Sequence, residues 1–343
     1  MRVAFAGLGM AVAPHALSVQ ELAPSVTLAS VFSPSADRRA AFAARFPALA
    51  AARAVASLDD VLADPAIDAV AVLTPPNTHL EIAARCAGAR KHVLLEKPVE
   101  VTTARAERLV AACREAGVVL GVVLQHRFRP AARALSQRLA AGELGRIVGC
   151  SASIRLWRPQ SYYDEPGRGT RVRDGGGVLL TQGIHTLDLM QHLAGPVAEV
   201  SARATTTPVH DMQTEDLVCA AVRFGSGALG TVEATTAAYP GFSERIELIG
   251  EAGTASLAGT ELTMRWHDGR RFAIEPDAGP GGTGADPMAF PADYHRALWA
   301  DFLAAVESHR APEVDGNQAL RVHRLIDALL ESSASRRWTA VAA

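Results

Sequence analysis

Apolar and polar positions change rhythm once along the chain. Over the first 125 residues, short continuous apolar runs stand at 3–7, 26–32, 66–74, 92–96 and 118–124. Segments with apolar spacing near 3.6 separate them, at 36–46, 79–89 and 102–117. Unbroken apolar runs mark strands covered on both faces, and their alternation with helices predicts a doubly wound parallel sheet. Further along, 146–157, 197–205, 216–224, 227–237 and 243–251 alternate apolar with polar positions. That period of two predicts antiparallel strands with one face toward water. Glycine-rich turns at 224–230 and 250–257 separate some of them. Helical spacing covers 130–142 and returns over about 291–334, while 275–290 reads as a mobile loop. The pattern predicts an α/β domain over 1–124 and an α+β domain with a mostly antiparallel sheet over 125–343.

Composition narrows the function. The chain has 343 residues, 34 of them basic and 36 acidic, for a net charge of -2. Near-neutral charge argues against a nucleic-acid or anionic-membrane partner. No apolar stretch reaches the roughly 18 residues of a membrane span, and the N-terminal apolar run is broken by Gly and Pro, unlike a signal peptide. Cys86, Cys113, Cys150 and Cys219 are too widely spaced for a zinc site and read as reduced thiols in a cytoplasmic protein. The basic residues are unevenly chosen: Lys91 and Lys97 are the two lysines, and the other 32 are Arg.

Three segments carry chemistry. Gly7, Leu8, Gly9 and Met10 join the first strand to the first helix, where a dinucleotide fingerprint sits, although Val12 replaces its third glycine. The 1–124 domain is thereby read as a Rossmann-type dinucleotide-binding domain. At the end of the second strand, Ser33 occupies the place of the ribose-binding acid, with Ser35, Arg38 and Arg39 following. Hydroxyls and a guanidinium suit a 2′-phosphate, so NADP is expected ahead of NAD; the alternative leaves Asp37 to hold an NAD ribose. Glu96, Lys97 and Pro98 end the fourth apolar run, at the carboxyl edge where such sheets bind ligands. Lys can give up its proton and Arg cannot, so a lone Lys in an Arg-rich chain marks proton chemistry at Lys97. Lys91, at the start of that strand, reads as structural. In the third segment, Gly175, Gly176 and Gly177 precede a helical pattern. There Thr181, His185 and Asp188 share a face by spacing, and the glycines admit a ligand close to the backbone. His185 is the acid/base candidate. A metal site from His185, Asp188 and His192 is permitted by spacing but lacks further ligands, and no metal is expected.

These motifs resemble, in order and context, those of the Gfo/Idh/MocA oxidoreductases: G-L-G (7–9), T-P-P-N-T-H (74–79), E-K-P (96–98) and G-G-G…G-I-H-x-x-D (175–188). The resemblance spans nearly the whole chain. It implies a Rossmann domain joined to a domain whose open sheet forms a homodimer or homotetramer interface. It also implies reversible hydride transfer between NAD(P) and a carbinol carbon of a sugar, cyclitol or related small molecule. By the same resemblance Thr74, Pro75, Asn77 and His79 flank the cofactor, Glu96 is a companion acid, Lys97 contacts the reacting hydroxyl and His185 is placed as acid/base partner. Many members carry Asp four residues before the histidine, where this chain has Thr181 followed by Gln182; the proton work then falls to Lys97 and His185. Tyr162-Tyr163 and Arg168-Gly169-Thr170 are similar to a subgroup acting on sugar nucleotides or 3-keto sugars. Arg127, Trp157, Arg158, Tyr162, Tyr163, Arg168, Thr181 and Gln182 are the expected substrate-side residues, with Lys97 and His185. Two rival functions are a cofactor- or sugar-sensing protein without catalysis and a reductase of a non-sugar ring such as a dihydrodiol. A sensor would be free to lose Lys97 and His185.

Overall fold

The computed structural model describes residues 1–276 and 291–342; most of the loop expected at 275–290 lies outside them. The chain divides into two compact units, Met1–Val123 with Pro291–Leu320, and Leu124–Phe290 with Arg321–Ala343.

The first unit alternates strand and helix: β1 (Arg2–Ala6), α1 (Val12–Glu21), β2 (Thr27–Phe32), α2 (Ala36–Arg45), β3 (Arg53–Val55), α3 (Leu58–Leu62), β4 (Ala69–Val72), α4 (His79–Gly88), β5 (His92–Leu95), α5 (Thr103–Glu115) and β6 (Leu120–Val122). The strands order as β3-β2-β1-β4-β5-β6, and every pair is parallel. That is the Rossmann order, with the strand order reversing between β1 and β4. Residues Val3–Ala6 and Ala69–Val72 are essentially without exposure, as continuous apolar strands between two helical layers must be. The edge strand β3, Arg-Ala-Val, is too short and too polar to stand out as an apolar run.

The second unit holds α6 (Pro130–Ala140), β7 (Ile147–Arg155), α7 (Gln160–Tyr163), α8 (Val178–Thr181), α9 (Ile184–Ala194), β8 (Val197–Thr205), β9 (Leu217–Phe224), β10 (Leu229–Thr235), β11 (Arg245–Gly250), β12 (Gly253–Ala258), β13 (Glu261–Trp266) and β14 (Arg271–Ile274). The C-terminal segment forms α10 (Asp293–Glu307), α11 (Gly316–Ser335) and β15 (Thr339–Ala340). A nine-stranded sheet runs β14-β13-β12-β11-β7-β10-β9-β8-β15, antiparallel except for the β7–β10 pair. Strands β9, β11 and β13 alternate buried and exposed positions; α9 packs on β7 and β11, and α6 on β12 and β13.

Two expectations change. Periodicity alone assigns the helical segment after 290 to the second domain as one stretch. It is two helices, and α10 belongs to the first unit. There α10 packs along α1 and buries Trp299 and Phe302 almost completely. The apolar stripe of α10 (Leu298, Trp299, Phe302, Ala305) needs an apolar partner, and the Rossmann layer supplies it. The single helix expected after the three glycines is broken at Gln182–Gly183 into α8 and α9, so Thr181 and His185 do not lie on consecutive turns of one helix.

Candidate active site

In the first unit the cofactor side is built at the β1–α1 turn. Gly7 has φ +103°, and a Cβ there would stand 2.8 Å from the Leu73 backbone, so only glycine fits this turn. A Cβ on Gly9 would meet nothing within 4 Å, leaving open space before the start of α1. That helix start has no side-chain cap and no acid in its first turn, whereas α2 and α3 are capped by Ser35 and Ser57 and carry Asp in theirs. An uncapped N-terminus facing open space fits a pyrophosphate. Leu8 is buried while Met10 is exposed at the turn, and Val12, in place of the third glycine, is packed into the core.

At the end of β2 the expected ribose contacts are partly engaged elsewhere. Ser33 is buried, its hydroxyl accepts from Ser35 N at 3.3 Å, and its carbonyl accepts from Arg39 at 2.5 Å. Ser35 Oγ accepts from Arg38 N as the cap of α2. Arg38 itself is exposed and forms no ion pair among the described residues. Of the expected set, Arg38 remains available for a phosphate, and Ser33 is corrected to a loop-fixing residue because burial removes its side chain from ligand reach.

His79 is a second correction. It is wholly buried, with Nε2 2.8 Å from Thr74 O and Nδ1 3.0 Å from Pro98 O. Burial pushes its pKa down, against the hydrogen bonds to these carbonyls. It ties the loop after β4 to the loop after E-K-P, and both ring nitrogens are taken up by those loop carbonyls. Thr74 Oγ1 accepts from Thr78 at 2.8 Å, while Pro75 and Asn77 reach the surface of that loop.

Lys97 is half-buried just beyond β5, and its backbone N–H donates to Glu96 Oε2 at 3.1 Å. Lys91 is explained structurally: its ammonium donates to Asp64 O at 2.8 Å and Ile67 O at 2.7 Å, clamping the turn before β4.

In the second unit, one group of expected residues meets. Tyr162 OH accepts from Arg168 at 2.9 Å and lies 3.5 Å from Gln182 Nε2; the Thr181 hydroxyl bonds to Gln182 Oε1 and to Gly177 O. The Arg168 guanidinium covers the Tyr162 ring at 4.4 Å and pairs with Glu165. Arg158 is buried with its guanidinium 5.8 Å from that ring, and Trp157 stands edge-on to Tyr239. Tyr163 is corrected: its hydroxyl is buried against Thr236 at 2.8 Å and burial pushes its pKa up, so it is part of the core.

His185 opens α9 and is buried, its ring stacked on that of His126 with centroids 4.7 Å apart. His126 Nε2 lies 2.6 Å from Arg129 Nη2, which can only donate, so this nitrogen carries a lone pair. Asp188 does not serve His185. It takes two bonds from Arg127, at 2.7 and 2.5 Å, with both residues buried. Arg127 is therefore corrected from a substrate contact to half of a structural ion pair. Its guanidinium also lies 3.3 Å from His192 Nδ1, and desolvation followed by this charge holds His192 down at about 4. With Asp188 and His192 both drawn to Arg127, the spacing-permitted metal trio is not assembled.

Of the three glycines, Gly177 serves the protein's own packing. A Cβ on Gly177 would stand 1.8 Å from Glu215 O. The Glu215 carboxylate accepts from Gly177 N at 3.1 Å and Leu179 N at 3.2 Å, although burial pushes its pKa up. Sequence reading missed Glu215; no spacing links it to the glycines, the nearest of which is 38 residues away. It also missed His210, buried between Asp216 (2.7 Å) and the carbonyl of Arg158 (2.8 Å), which anchors the Trp157–Arg158 segment.

Taken with the fold, a phosphate-ready helix start and a lysine at the carboxyl edge of the parallel sheet define a dinucleotide-dependent oxidoreductase. Residues 1–124 match the oxidoreductase family model with NAD-binding Rossmann fold, and residues 132–256 match the GFO/IDH/MocA C-terminal domain. The chain is 31% identical over 297 residues to 1,5-anhydro-D-fructose reductase of Ensifer adhaerens, spanning 85% of this chain and 84% of that one. It is 26% identical over 331 residues to inositol 2-dehydrogenase of Rhizobium meliloti, spanning 92% and 95%. Among solved structures, the WlbA dehydrogenase from Bordetella pertussis in complex with NADH and UDP-GlcNAcA superposes with a TM-score of 0.85. Identity is 28%, over 100% of this chain and 99% of that one. The chain belongs to the Gfo/Idh/MocA family of oxidoreductases.

Proposed function

We propose that the protein interconverts a carbinol and a ketone on a sugar, cyclitol or sugar derivative, with NADP preferred to NAD. The observation that carries the reading is Lys97. It is one of two lysines in an Arg-rich chain, it stands at the ligand-binding edge of a parallel sheet, and the other lysine is fully explained as a clamp. A nicotinamide cofactor, when bound, supplies hydride exchange with the reacting carbon. The β1–α1 turn (Gly7 to Met10) would hold its pyrophosphate, and the loop of Thr74, Pro75 and Asn77 would flank it. Lys97 Nζ holds or moves the proton of the reacting oxygen, and His185 is the second proton group. Tyr162, Arg168, Thr181 and Gln182 offer the hydroxyl, guanidinium and amide groups that hold sugar hydroxyls. The names of the relatives, a sugar reductase and a cyclitol dehydrogenase, support the substrate class.

NADP is favoured because no acid stands at the end of β2 and Arg38 is exposed there. The outer face of the nine-stranded sheet, with exposed Leu229 and Ile249 both registered on Gly149, suits a second copy of the chain in a homodimer or homotetramer. No described helix is long and apolar enough to cross a membrane. Three buried free cysteines fit a cytoplasmic location. The test is a panel of 1,5-anhydro-D-fructose, myo-inositol, scyllo-inositol and UDP-N-acetylglucosaminuronic acid, each with NAD(H) and NADP(H), followed by nicotinamide absorbance. Turnover on at least one, faster with NADP(H), is expected. Turnover with NAD(H) alone contradicts the cofactor reading.

A further inference from the structure

Glu96 is a carboxylate almost out of water, 8% exposed, and such a group must be held by donors. Its Oε2 accepts from Lys97 N, and its Oε1 lies 2.8 Å from His15 Nε2. On the other side of that ring, Trp299 Nε1 lies 3.0 Å from His15 Nδ1. An indole N–H only donates, so Nδ1 carries the lone pair and the ring proton sits on Nε2, aimed at Glu96. The tautomer is thus set by a residue 284 positions away in sequence. Burial works against ionisation of Glu96, and the hydrogen bond from His15, the largest of the opposing influences, helps hold its pKa below the usual range.

His15, Glu96 and His295 are also the one group among the described residues with metal-ligand spacing, their ligand atoms within 4.8 Å of one another. The same geometry argues against a metal. An ion on His15 Nε2 needs the lone pair there, and the displaced proton would have to sit on Nδ1, where the indole already points its own. His295 stands edge-on to His15 at 5.1 Å, and burial above all holds it near 3, so it is neutral.

We propose that Trp299 and His15 are positioning residues: they fix Glu96 as a two-acceptor brace for the Lys97 backbone, and so set Lys97 for proton transfer. This rests on the role given to Lys97 above. The brace gathers α1, the exit of β5 and α10, which explains why the chain returns to the Rossmann unit with a tryptophan on the buried face of α10.

The test uses the direction of a coupling. Glu96→Gln keeps the shape but offers one acceptor where Lys97 N–H and His15 Nε2–H demand two. While Trp299 holds the tautomer, the mismatch cannot relax. Trp299→Phe releases His15, whose proton can move to Nδ1 so that Nε2 accepts from the side-chain amide now at position 96. On the fastest panel substrate, Glu96→Gln should lower kcat about 10- to 100-fold with NADPH affinity retained, the scale of one buried unsatisfied polar group. Trp299→Phe alone should slow wild type by about threefold to tenfold, yet the same substitution added to Glu96→Gln should speed that variant. Nitrogen-15 spectra of the His15 ring, read without any substrate, should report the Nε2–H tautomer in wild type and Nδ1–H in the double variant. A double variant no faster than Glu96→Gln, or a wild-type His15 protonated on Nδ1, overturns the brace. Lys97→Ala, run alongside, separates the failures: if it keeps full turnover, the reading of Lys97 falls, and if it is inactive while the double variant is not rescued, only the brace falls.

Discussion

The two lysines of the chain stand in different surroundings. Lys91 is buried and spends its donors on two carbonyls, where its proton is locked in place. Lys97 is half-buried at the carboxyl edge of the sheet, with its backbone braced by Glu96. The scarcity of lysine singles out Lys97 in the sequence as the candidate proton group, because the chain otherwise uses a cation that cannot deprotonate. Four single-residue readings change for a common reason. Arg127, Tyr163, His79 and Ser33 are polar residues in motif-rich segments, and the partners that absorb them (Asp188, Thr236, two loop carbonyls, the Ser35 amide) come from contacts that spacing alone does not encode. His15 and Trp299 were invisible for the same reason, since 284 residues separate a pair joined by one hydrogen bond.

At the scale of elements, the Rossmann alternation was readable because strands buried on both faces leave unbroken apolar runs. Strand β3 escaped because an edge strand needs no such run. The three-glycine segment was readable as a close approach but not as to what. Gly177 gives room to the Glu215 backbone, and the Glu215 carboxylate ties down the start of α8, two turns ahead of His185. Gly177→Ala therefore should cost stability, on the order of 2–4 kcal/mol, as overpacking against a backbone that cannot yield. Denaturant melts of the purified variant check this. A midpoint equal to wild type contradicts the close approach at Gly177.

For the molecule as a whole, the two units each bury histidines that must stay neutral. His295 is held near 3 and His323 near 4 by burial, against an ordinary value of 6.5. Unfolding lets both rings take a proton that the folded chain refuses. Their contribution is therefore complete above about pH 6.5 and is lost progressively as pH falls toward 4. Glu96, with its pKa held low, acts in the same direction at more acid pH. The melting temperature should be level above about pH 7 and fall steadily below 6.5; a melting temperature unchanged down to about pH 5 contradicts the burial of these rings. The location of His295 also marks where sequence reading of the domains stopped short. Apolar spacing shows the helix that carries it, but which layer covers that helix is decided by packing on α1.

Lys97→Arg tests the central claim most directly. The substitution keeps the positive charge and the E-x-P chain path but removes a cation that can release its proton. Steady-state kinetics on the fastest panel substrate, with NADPH binding measured in parallel, should give kcat lower by about 100-fold or more, the scale of a lost acid/base group, with cofactor affinity within a few-fold of wild type. Turnover equal to wild type would contradict the account, because a charge alone would then suffice where a proton has been assigned.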